Sequence, residues 1–305
     1  MNYNEKYQQW LNNPYFDEKT KNELKAIEND DAEILDRFYK DLEFGTAGLR
    51  GKIGAGSNRM NVYTVSLASQ GLADTIKAHG QEAMERGVVI SRDVRHMSKE
   101  FAEITASVLA ANGVKVYIHK DITPTPVLSY SIRKLKTISG VMITASHNPK
   151  QYNGYKAYWE EGSQILDDIA NAILDNMNKV GDYSNVKIMD FNEGLEKGLI
   201  EWIDESLIDS YINDVLSLTI EDENIDKDVC IVYSPLNGTG NKLVRRILNE
   251  RGFTNVHIVK EQENPDPDFT TVGYPNPEDP KAFKYAIELG NKVDADILIA
   301  TDPDA

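Results

Sequence analysis

Short apolar runs alternate with amphipathic stretches along most of the chain, which is the pattern of strands separated by helices. The first half predicts three strands with a helix in each gap, and Gly113 stands where the first helix should end. Strands that alternate with helices in this way predict a mostly parallel sheet covered by helices on both faces. The predicted elements are strands at 87–93, 114–119 and 138–144, and helices at 98–112 and 125–135.

The second half repeats the same order of elements, with Gly252 as the predicted stop of its first helix. The repeat predicts an α/β protein of two consecutive three-layer α/β domains, with similar topology and mostly parallel sheets. The first domain is predicted to span residues 1–204 and the second 205–305. The second set of elements comprises strands at 228–234, 256–260 and 295–301, and helices at 241–250 and 277–292.

Both ends of the chain depart from the repeat. Residues 1 to about 43 are rich in helix formers and predict a helical cap on the first domain, broken at Asn13–Pro14. At the other end, Ala305 directly follows a strand, inside a polar loop and without a helix to close the layer. We therefore expect the sequence to be a fragment with a truncated second domain.

Composition and charge exclude several classes of protein. The hydrophobic fraction of 41% and the charged fraction of 27% lie near soluble averages, and no apolar run is long enough to cross a bilayer. The N-terminus lacks the pattern of a signal peptide, so a cytoplasmic location is expected, with no membrane partner. The formal net charge of -16 argues against a nucleic-acid partner but leaves room for a local cluster of cations around an anionic substrate. Cys230, the only cysteine, lies in an apolar run and is expected to be buried and inert.

Candidate chemistry begins where the third strand ends, in the sequence T-A-S-H-N-P. Ser146 leaves an apolar strand for a loop that Asn148–Pro149 turns, which should hold its hydroxyl outward and fixed. Ten residues on, Asn153–Gly154 predicts a tight turn that returns Lys156 toward that loop, with its ammonium beside any phosphoryl group there. Taken alone, the serine is better explained as a cap, with Lys156 an unrelated surface residue.

A second candidate loop, D-P-D-A, follows the last strand of the second half. Asp302 and Asp304 place two carboxylates two residues apart, and such hard oxygen ligands suit magnesium. An isolated D-x-D is more often a pair of solvated loop aspartates. The position favours a site, because this loop and the Ser146 loop both follow the carboxyl ends of strands and could face one another across a cleft between the domains.

Two glycine-rich loops, one histidine and one charged segment complete the candidates. F-G-T-A-G-L-R-G frames Arg50 with glycines, so that backbone amides and a guanidinium can approach an anion. S-P-L-N-G-T-G at 234–240 lacks a phosphate-loop signature, so a structural strand-to-helix turn is the better interpretation. His147 is equally consistent with an acid or base and with a hydrogen bond to its own loop. The charged segment S-R-D-V-R at 91–95 predicts a structural ion-pair cluster near the cleft.

Taken together, F-G-T-A-G-L-R-G, T-A-S-H-N-P, N-G-Y-K and T-D-P-D-A, in this order over residues 44–305, closely resemble the α-D-phosphohexomutase family. T-A-S-H-N-P is the most specific motif, and the opening motif is similar to the bacterial phosphoglucomutase branch, which includes phosphopentomutases. The roles that this resemblance implies are Ser146 as the phosphoserine, Ser146, Asp302 and Asp304 as ligands of Mg2+, and Arg50, His147 and Lys156 in the catalytic site.

The same resemblance implies an intramolecular phosphotransferase that interconverts hexose 1-phosphate and hexose 6-phosphate, with glucose as the expected sugar. Phospho-Ser146 gives its phosphoryl group to the sugar monophosphate, and the sugar bisphosphate returns its other phosphoryl group to the serine. Lys156 transfers a proton or stabilises charge, and the sequence does not separate these roles. The alternatives are a phosphomannomutase, a phosphopentomutase and a catalytically inert phosphosugar-binding module. Because members of the family have four domains, a chain holding the first and most of the second is expected to turn over little or no phosphosugar alone.

Overall fold

The computed structural model describes residues 2–46 and 48–305, and two β-sheets follow one another along this part of the chain. Within these ranges, no helix is long and apolar enough to cross a membrane. The α-helices are α1 (Tyr3–Asn12), α2 (Glu18–Lys25), α3 (Asp31–Phe38), α4 (Val62–Ala78), α5 (Gln81–Arg86), α6 (Ser98–Ala111), α7 (Thr125–Leu135), α8 (Asp167–Val180), α9 (Phe191–Glu196), α10 (Ser206–Ser217), α11 (Asn241–Glu250) and α12 (Lys284–Val293). The strands are β1 (Leu49–Lys52), β2 (Val88–Arg92), β3 (Val116–Ile118), β4 (Ser139–Ile143), β5 (Tyr152–Trp159), β6 (Ile200–Trp202), β7 (Ile231–Ser234), β8 (Val256–Ile258) and β9 (Ile297–Ala300).

The first sheet has six strands in the order β1-β5-β4-β2-β3-β6. Its central strands β2 and β4 are buried along almost their whole length, because helices cover both of their faces. Val88 and Ile90 of β2 pack in the cluster that includes residues of α4, α6 and α8, whereas Val89 packs with residues of α7 on the opposite face. Strands β4, β2, β3 and β6 pair in parallel, while β5 is antiparallel to both β1 and β4. The predicted three-layer, mostly parallel arrangement is therefore confirmed, with an antiparallel edge that the sequence did not indicate.

The second sheet has three strands, all parallel, in the order β8-β7-β9. Val232 of the central strand packs against residues of α12. Cys230, just before this strand, is buried with a free thiol, as predicted. The first sheet ends at Trp202 and the second begins at Ile231, and α10 packs against both α7 and α11 between them. The domain boundary at residues 204 and 205 stays a prediction.

Three helices lie at the N-terminus, where the sequence predicted a helical cap. α1 ends at Asn12, before the predicted break, and the stretch that follows forms α2 and α3. Trp10 of α1 stacks on Phe16 with ring centroids 4.2 Å apart, and its edge meets Tyr63 of α4 at 5.8 Å. This aromatic cluster attaches the cap to a helix that covers the first sheet.

Asn153 and Gly154, predicted to form a tight turn, lie instead within β5. The Asn153 amide group donates hydrogen bonds to the carbonyl oxygen of His96 and to the hydroxyl of Ser98. Gly154 is required by close approach, because a Cβ there would lie 2.4 Å from the Thr144 carbonyl oxygen. The turn prediction was wrong because the same dipeptide also suits a crowded strand interior beside a loop.

Gly154→Ala is expected to lower the free energy of unfolding by about 1–3 kcal/mol, because the added methyl group meets backbone atoms on both sides. Besides Thr144, the carbonyl oxygen of Leu49 would lie 2.9 Å from the new Cβ. Urea unfolding followed by circular dichroism measures the effect. Gly45→Ala is the matched control, since a Cβ at Gly45 has no atom within 4 Å among the described residues. Equal unfolding midpoints for the two variants would contradict the close packing beneath the Ser146 loop.

Candidate active site

Ser146 lies in the loop that follows β4, with its backbone in the left-handed region at φ 53°. This conformation costs a residue other than glycine roughly 1–2 kcal/mol, so the surrounding loop must hold it. Part of that support is local, because the Ser146 amide donates to the Thr144 hydroxyl at 2.9 Å. The side chain is half-buried at the carboxyl edge of the sheet. The structure therefore presents a fixed hydroxyl where the sequence predicted one.

Asp302 belongs to the loop that follows β9, and it meets Ser146 across the two halves of the chain. The Ser146 hydroxyl donates to Asp302 Oδ2 at 2.6 Å. Burial, together with the nearby charge of Asp304, raises the pKa of Asp302 to about 6. The two loops thus converge as expected from their positions after parallel strands, and their meeting point holds a carboxylate whose pKa burial raises more than the Ser146 hydrogen bond and the charge of Lys156 lower it.

Asp304 is buried and turned toward the first half of the chain. Lys156 Nζ donates to its Oδ2 at 2.9 Å, and the Thr125 hydroxyl donates to the same oxygen at 3.1 Å. The Thr125 amide also donates to the Asp304 carbonyl oxygen at 2.9 Å, so the first turn of α7 holds both main chain and side chain. Burial alone would raise the pKa of Asp304, but the ammonium of Lys156 outweighs it and the net pKa is lowered. Lys156 reaches the predicted cluster, yet it bonds to Asp304 and makes no hydrogen bond to Ser146 among the described residues.

His147 follows Ser146, and its ring faces the same cluster. Its Nδ1 lies 3.4 Å from the Ser146 hydroxyl and 4.0 Å from Asp302 Oδ2. The edge of the ring meets Tyr274 of the second half, with centroids 5.9 Å apart and planes at 85°. Within residues 2–46 and 48–305, the His147 ring makes no hydrogen bond to the backbone of its own loop. The geometry therefore favours an interaction with the serine hydroxyl over backbone support.

Arg50 lies on β1, opposite Gly154 of β5. Its side chain is exposed and has no ion-pair partner in the described part of the chain. Gly48, in the preceding loop, has φ +72°, and a Cβ there would lie 1.8 Å from the Tyr155 carbonyl oxygen. Ala47, which the glycine-rich motif includes, lies outside the described residues. Arg50 is thus an available cation on a strand next to the one that carries Lys156.

The S-P-L-N-G-T-G segment at 234–240 supports the D-P-D loop directly. Thr239 donates its amide to the Pro303 carbonyl oxygen at 3.0 Å. A Cβ at Gly238 would lie 2.6 Å from the Pro303 Cα, so the two loops pack backbone against backbone. The predicted structural turn between β7 and α11 is confirmed, and its glycine allows the close approach that seats the two aspartates.

Two family models match the chain, namely phosphoglucomutase/phosphomannomutase alpha/beta/alpha domain I at residues 41–184 and domain II at residues 209–305. The chain belongs to the phosphoglucomutase/phosphomannomutase family. This confirms the resemblance to the α-D-phosphohexomutases that the four motifs indicated. It also confirms the prediction of two consecutive α/β domains.

Individual relatives within the phosphoglucomutase/phosphomannomutase family agree. Phosphoglucomutase of Staphylococcus haemolyticus is 38% identical over 267 residues, which cover 88% of this chain and 48% of that protein. Phosphoglucomutase of Staphylococcus saprophyticus is 41% identical over 265 residues, which cover 87% of this chain and 47% of that protein. The crystal structure of a family protein from Burkholderia thailandensis has the same fold, with a TM-score of 0.67 at 23% identity over 86% of this chain and 52% of that one. The chain thus spans about half the length of the curated relatives it matches.

The side chains of the two loops can be compared with the ligands that a metal ion would need in this member of the phosphoglucomutase/phosphomannomutase family. Ser146, Asp302 and Asp304 offer only oxygen atoms, which suit magnesium. Burial of Asp302 without a lysine or arginine partner in the described part of the chain leaves negative charge that a cation would offset. In residues 2–46 and 48–305, no group of three or more His, Cys, Asp or Glu side chains could hold a metal ion. The residues fit a cation in chemistry, with Asp304 already bonded to Lys156 and Thr125.

Proposed function

We propose that the protein is a phosphosugar mutase that interconverts hexose 1-phosphate and hexose 6-phosphate through phospho-Ser146 and a hexose bisphosphate. One observation carries the proposal, namely the 2.6 Å hydrogen bond from the Ser146 hydroxyl to Asp302 across the two sheets. Glucose is the proposed sugar because the relatives at about 40% identity are named phosphoglucomutase. The partners are therefore a phosphosugar and its bisphosphate, and the cytoplasmic location predicted from the sequence belongs to the same proposal.

Phosphoryl transfer needs positioning and stabilisation of charge more than covalent chemistry. Arg50 is exposed and is proposed to bind phosphoryl oxygens. Lys156 is proposed to stabilise charge from its place beside Asp304. Ser146 is proposed as the nucleophile, since its hydroxyl is fixed and directed into the cluster.

Mg2+ is the proposed cofactor, with Ser146, Asp302 and Asp304 as its ligands. When bound, it would neutralise charge on the phosphoryl group during transfer. The raised pKa of Asp302 supports this assignment, because a carboxylate is costly to bury when it has no direct ion pair with a lysine or arginine in the described part of the chain. The chain's own contribution is to bring oxygen donors from both halves together at one point.

In the priming direction, the Ser146 oxygen forms a bond to phosphorus while the bond from phosphorus to the sugar oxygen breaks. The serine proton ends on the released sugar oxygen, which yields a hexose monophosphate. Asp302 orients the hydroxyl before transfer, since it already accepts the hydrogen bond. His147 and Lys156 are the candidates for moving the proton, because both side chains reach the cluster.

The proposal is tested by incubating the intact protein with glucose 1,6-bisphosphate and Mg2+, followed by intact mass and peptide mapping. The expected result is one phosphoryl group, located on Ser146. Calorimetric binding of the bisphosphate without any phosphorylation would favour the inert binding module instead. Phosphate found only on another residue would remove the proposed mechanism.

A further inference from the structure

Arg95 lies beneath the Ser146 loop and is 3% exposed. One nitrogen of its guanidinium, Nη1, donates to the carbonyl oxygens of Pro149 and Tyr152, both at 3.0 Å. The other, Nη2, donates to the carbonyl oxygen of Ser146 at 2.6 Å and to that of Asn148. A single side chain thus binds four carbonyl groups of the segment that contains the proposed nucleophile.

The inner end of the Arg95 guanidinium lies against Asp93, next to the first sheet. Its Nε lies 3.2 Å from Asp93 Oδ2, and neither side chain is accessible to solvent. Asp93 is itself held, because its other oxygen accepts from the Ser98 hydroxyl at 2.7 Å and its amide donates to the Ile143 carbonyl oxygen at the end of β4. The guanidinium therefore has a defined position relative to the strand from which the Ser146 loop emerges.

A residue of the second half covers the guanidinium. The ring of Phe269 lies 5.0 Å from Arg95 Cζ, within the range of a cation–π contact. Phe269 is fully buried in a turn at φ 46°, and the Gly273 amide donates to its carbonyl oxygen at 2.7 Å. Next to it, Asp268 accepts a hydrogen bond from Lys150 at 3.0 Å. The turn around Phe269 thus packs against the segment that contains Ser146, through the contacts of Phe269 with Arg95 and of Asp268 with Lys150.

We propose that Arg95 is a positioning residue, which holds Ser146 in its strained conformation and makes that hold depend on the contact with Phe269. The planar fork of a guanidinium can satisfy four carbonyl groups at once, whereas the ammonium of a lysine has three donors. Arg95 meets the backbone of Ser146 and not its hydroxyl, so its influence on transfer runs through the loop. Its relevance to phosphoryl transfer rests on the proposed function, while its hold on the loop does not.

Arg95→Lys keeps the charge and removes the fork. Phosphorylation by glucose 1,6-bisphosphate and Mg2+ is followed by intact mass, and hydrogen exchange by mass spectrometry reports on peptides covering 144–152. The rate at saturating bisphosphate should fall about 10²-fold, with an unchanged half-saturating concentration, because a misplaced nucleophile affects transfer more than binding. Exchange in the loop should become faster.

Arg59→Lys is the matched control. Arg59 is 4% exposed, and its guanidinium bonds to carboxylates and carbonyl groups around α3 and Asn58. The control should leave both the phosphorylation rate and the exchange of 144–152 at wild-type values. If Arg95→Lys matches this control in both measurements, or loosens the loop without slowing transfer, the positioning role is overturned.

Phe269→Leu tests whether the hold of Arg95 on the loop depends on Phe269. It also provides a test of the proposal if Arg95→Lys does not fold. Leucine keeps an apolar cover without a π face, so slower transfer and faster loop exchange are expected, and wild-type behaviour overturns the dependence on Phe269. An intact wild-type protein that is never phosphorylated on Ser146 would instead remove the proposed function. In that case, hydrogen exchange of peptides covering 144–152 alone tests whether Arg95 holds the loop. Faster exchange in Arg95→Lys would support that role, and unchanged exchange would overturn it.

Discussion

Ser146→Ala is expected to leave the chain unphosphorylated by glucose 1,6-bisphosphate, a loss on the order of 10⁶-fold in rate that is typical when a covalent nucleophile is removed. The methyl group cannot form a bond to phosphorus, and no other hydroxyl is hydrogen-bonded to Asp302 among the described residues. Intact mass after prolonged incubation with the bisphosphate and Mg2+ measures the loss. Thermal unfolding should show that the variant remains folded, since alanine tolerates the backbone of Ser146 about as well as serine does.

Ser139→Ala is a suitable control because it removes a hydroxyl from β4, the strand that leads to the Ser146 loop. The Ser139 hydroxyl donates to the Tyr158 carbonyl oxygen at 2.7 Å, so its loss affects stability and not the cluster. This control should be phosphorylated at the wild-type rate. A Ser146→Ala chain that gains phosphate as fast as the control would show that the nucleophile is elsewhere.

The sequence predicted the meeting of the two loops from a simple rule. Ser146 and Asp302 each follow the carboxyl end of a parallel strand, and such edges collect functional side chains. What it did not predict was the partner of Lys156, because a side chain on β5 can reach either loop depending on how the two sheets approach. That approach is fixed by contacts such as Thr125 with Asp304, between residues 179 positions apart in sequence.

The role of Arg95 was also missed, although its ion pair with Asp93 was predicted. The sequence gives an arginine two residues from an aspartate, which is the pattern of a local pair. It carries no signal that the same guanidinium meets four carbonyl groups more than fifty positions away. Carbonyl groups have no residue identity, so contacts of this kind are invisible in a sequence pattern.

Among the elements of the fold, α4 was not predicted even though a local signal existed. The Asn61 side chain caps this helix by accepting hydrogen bonds from the backbone amides of Tyr63 and Thr64. In return, the backbone amide of Asn61 donates to the Thr64 hydroxyl. The helix is buried around most of its circumference between the sheet and α8, so its small and apolar residues lack a clear 3.6-residue stripe. Because the helix is buried on several sides, its hydrophobic pattern did not indicate a helix.

Asp302→Asn is expected to stabilise the chain at neutral pH in the absence of metal. The native pKa of Asp302 is raised from 3.8 to about 6, so between these values the native state binds more protons than the unfolded state. Stability therefore falls as pH rises through this window, and the full cost is present above about pH 6. Asparagine carries no charge to desolvate and can still accept the Ser146 hydrogen bond. The gain should be on the order of 3 kcal/mol at pH 8 and should vanish below pH 4.

Urea unfolding at pH 4 and pH 8, each with and without Mg2+, measures this effect and ties it to the metal. Mg2+ needs ionised carboxylates and stabilises whatever native state binds it, so it should raise the stability of the wild type at pH 8 but not that of Asp302→Asn. Asp268→Asn is the control, because its expected change in the free energy of unfolding at pH 8 has the opposite sign. Lys150 holds the pKa of Asp268 below its usual range, so this variant should lose stability at pH 8 and keep the wild-type response to Mg2+. If Asp302→Asn is less stable than the wild type at pH 8, the buried carboxylate of Asp302 is not destabilising. If the variant responds to Mg2+ as strongly as the wild type does, Asp302 is not a metal ligand.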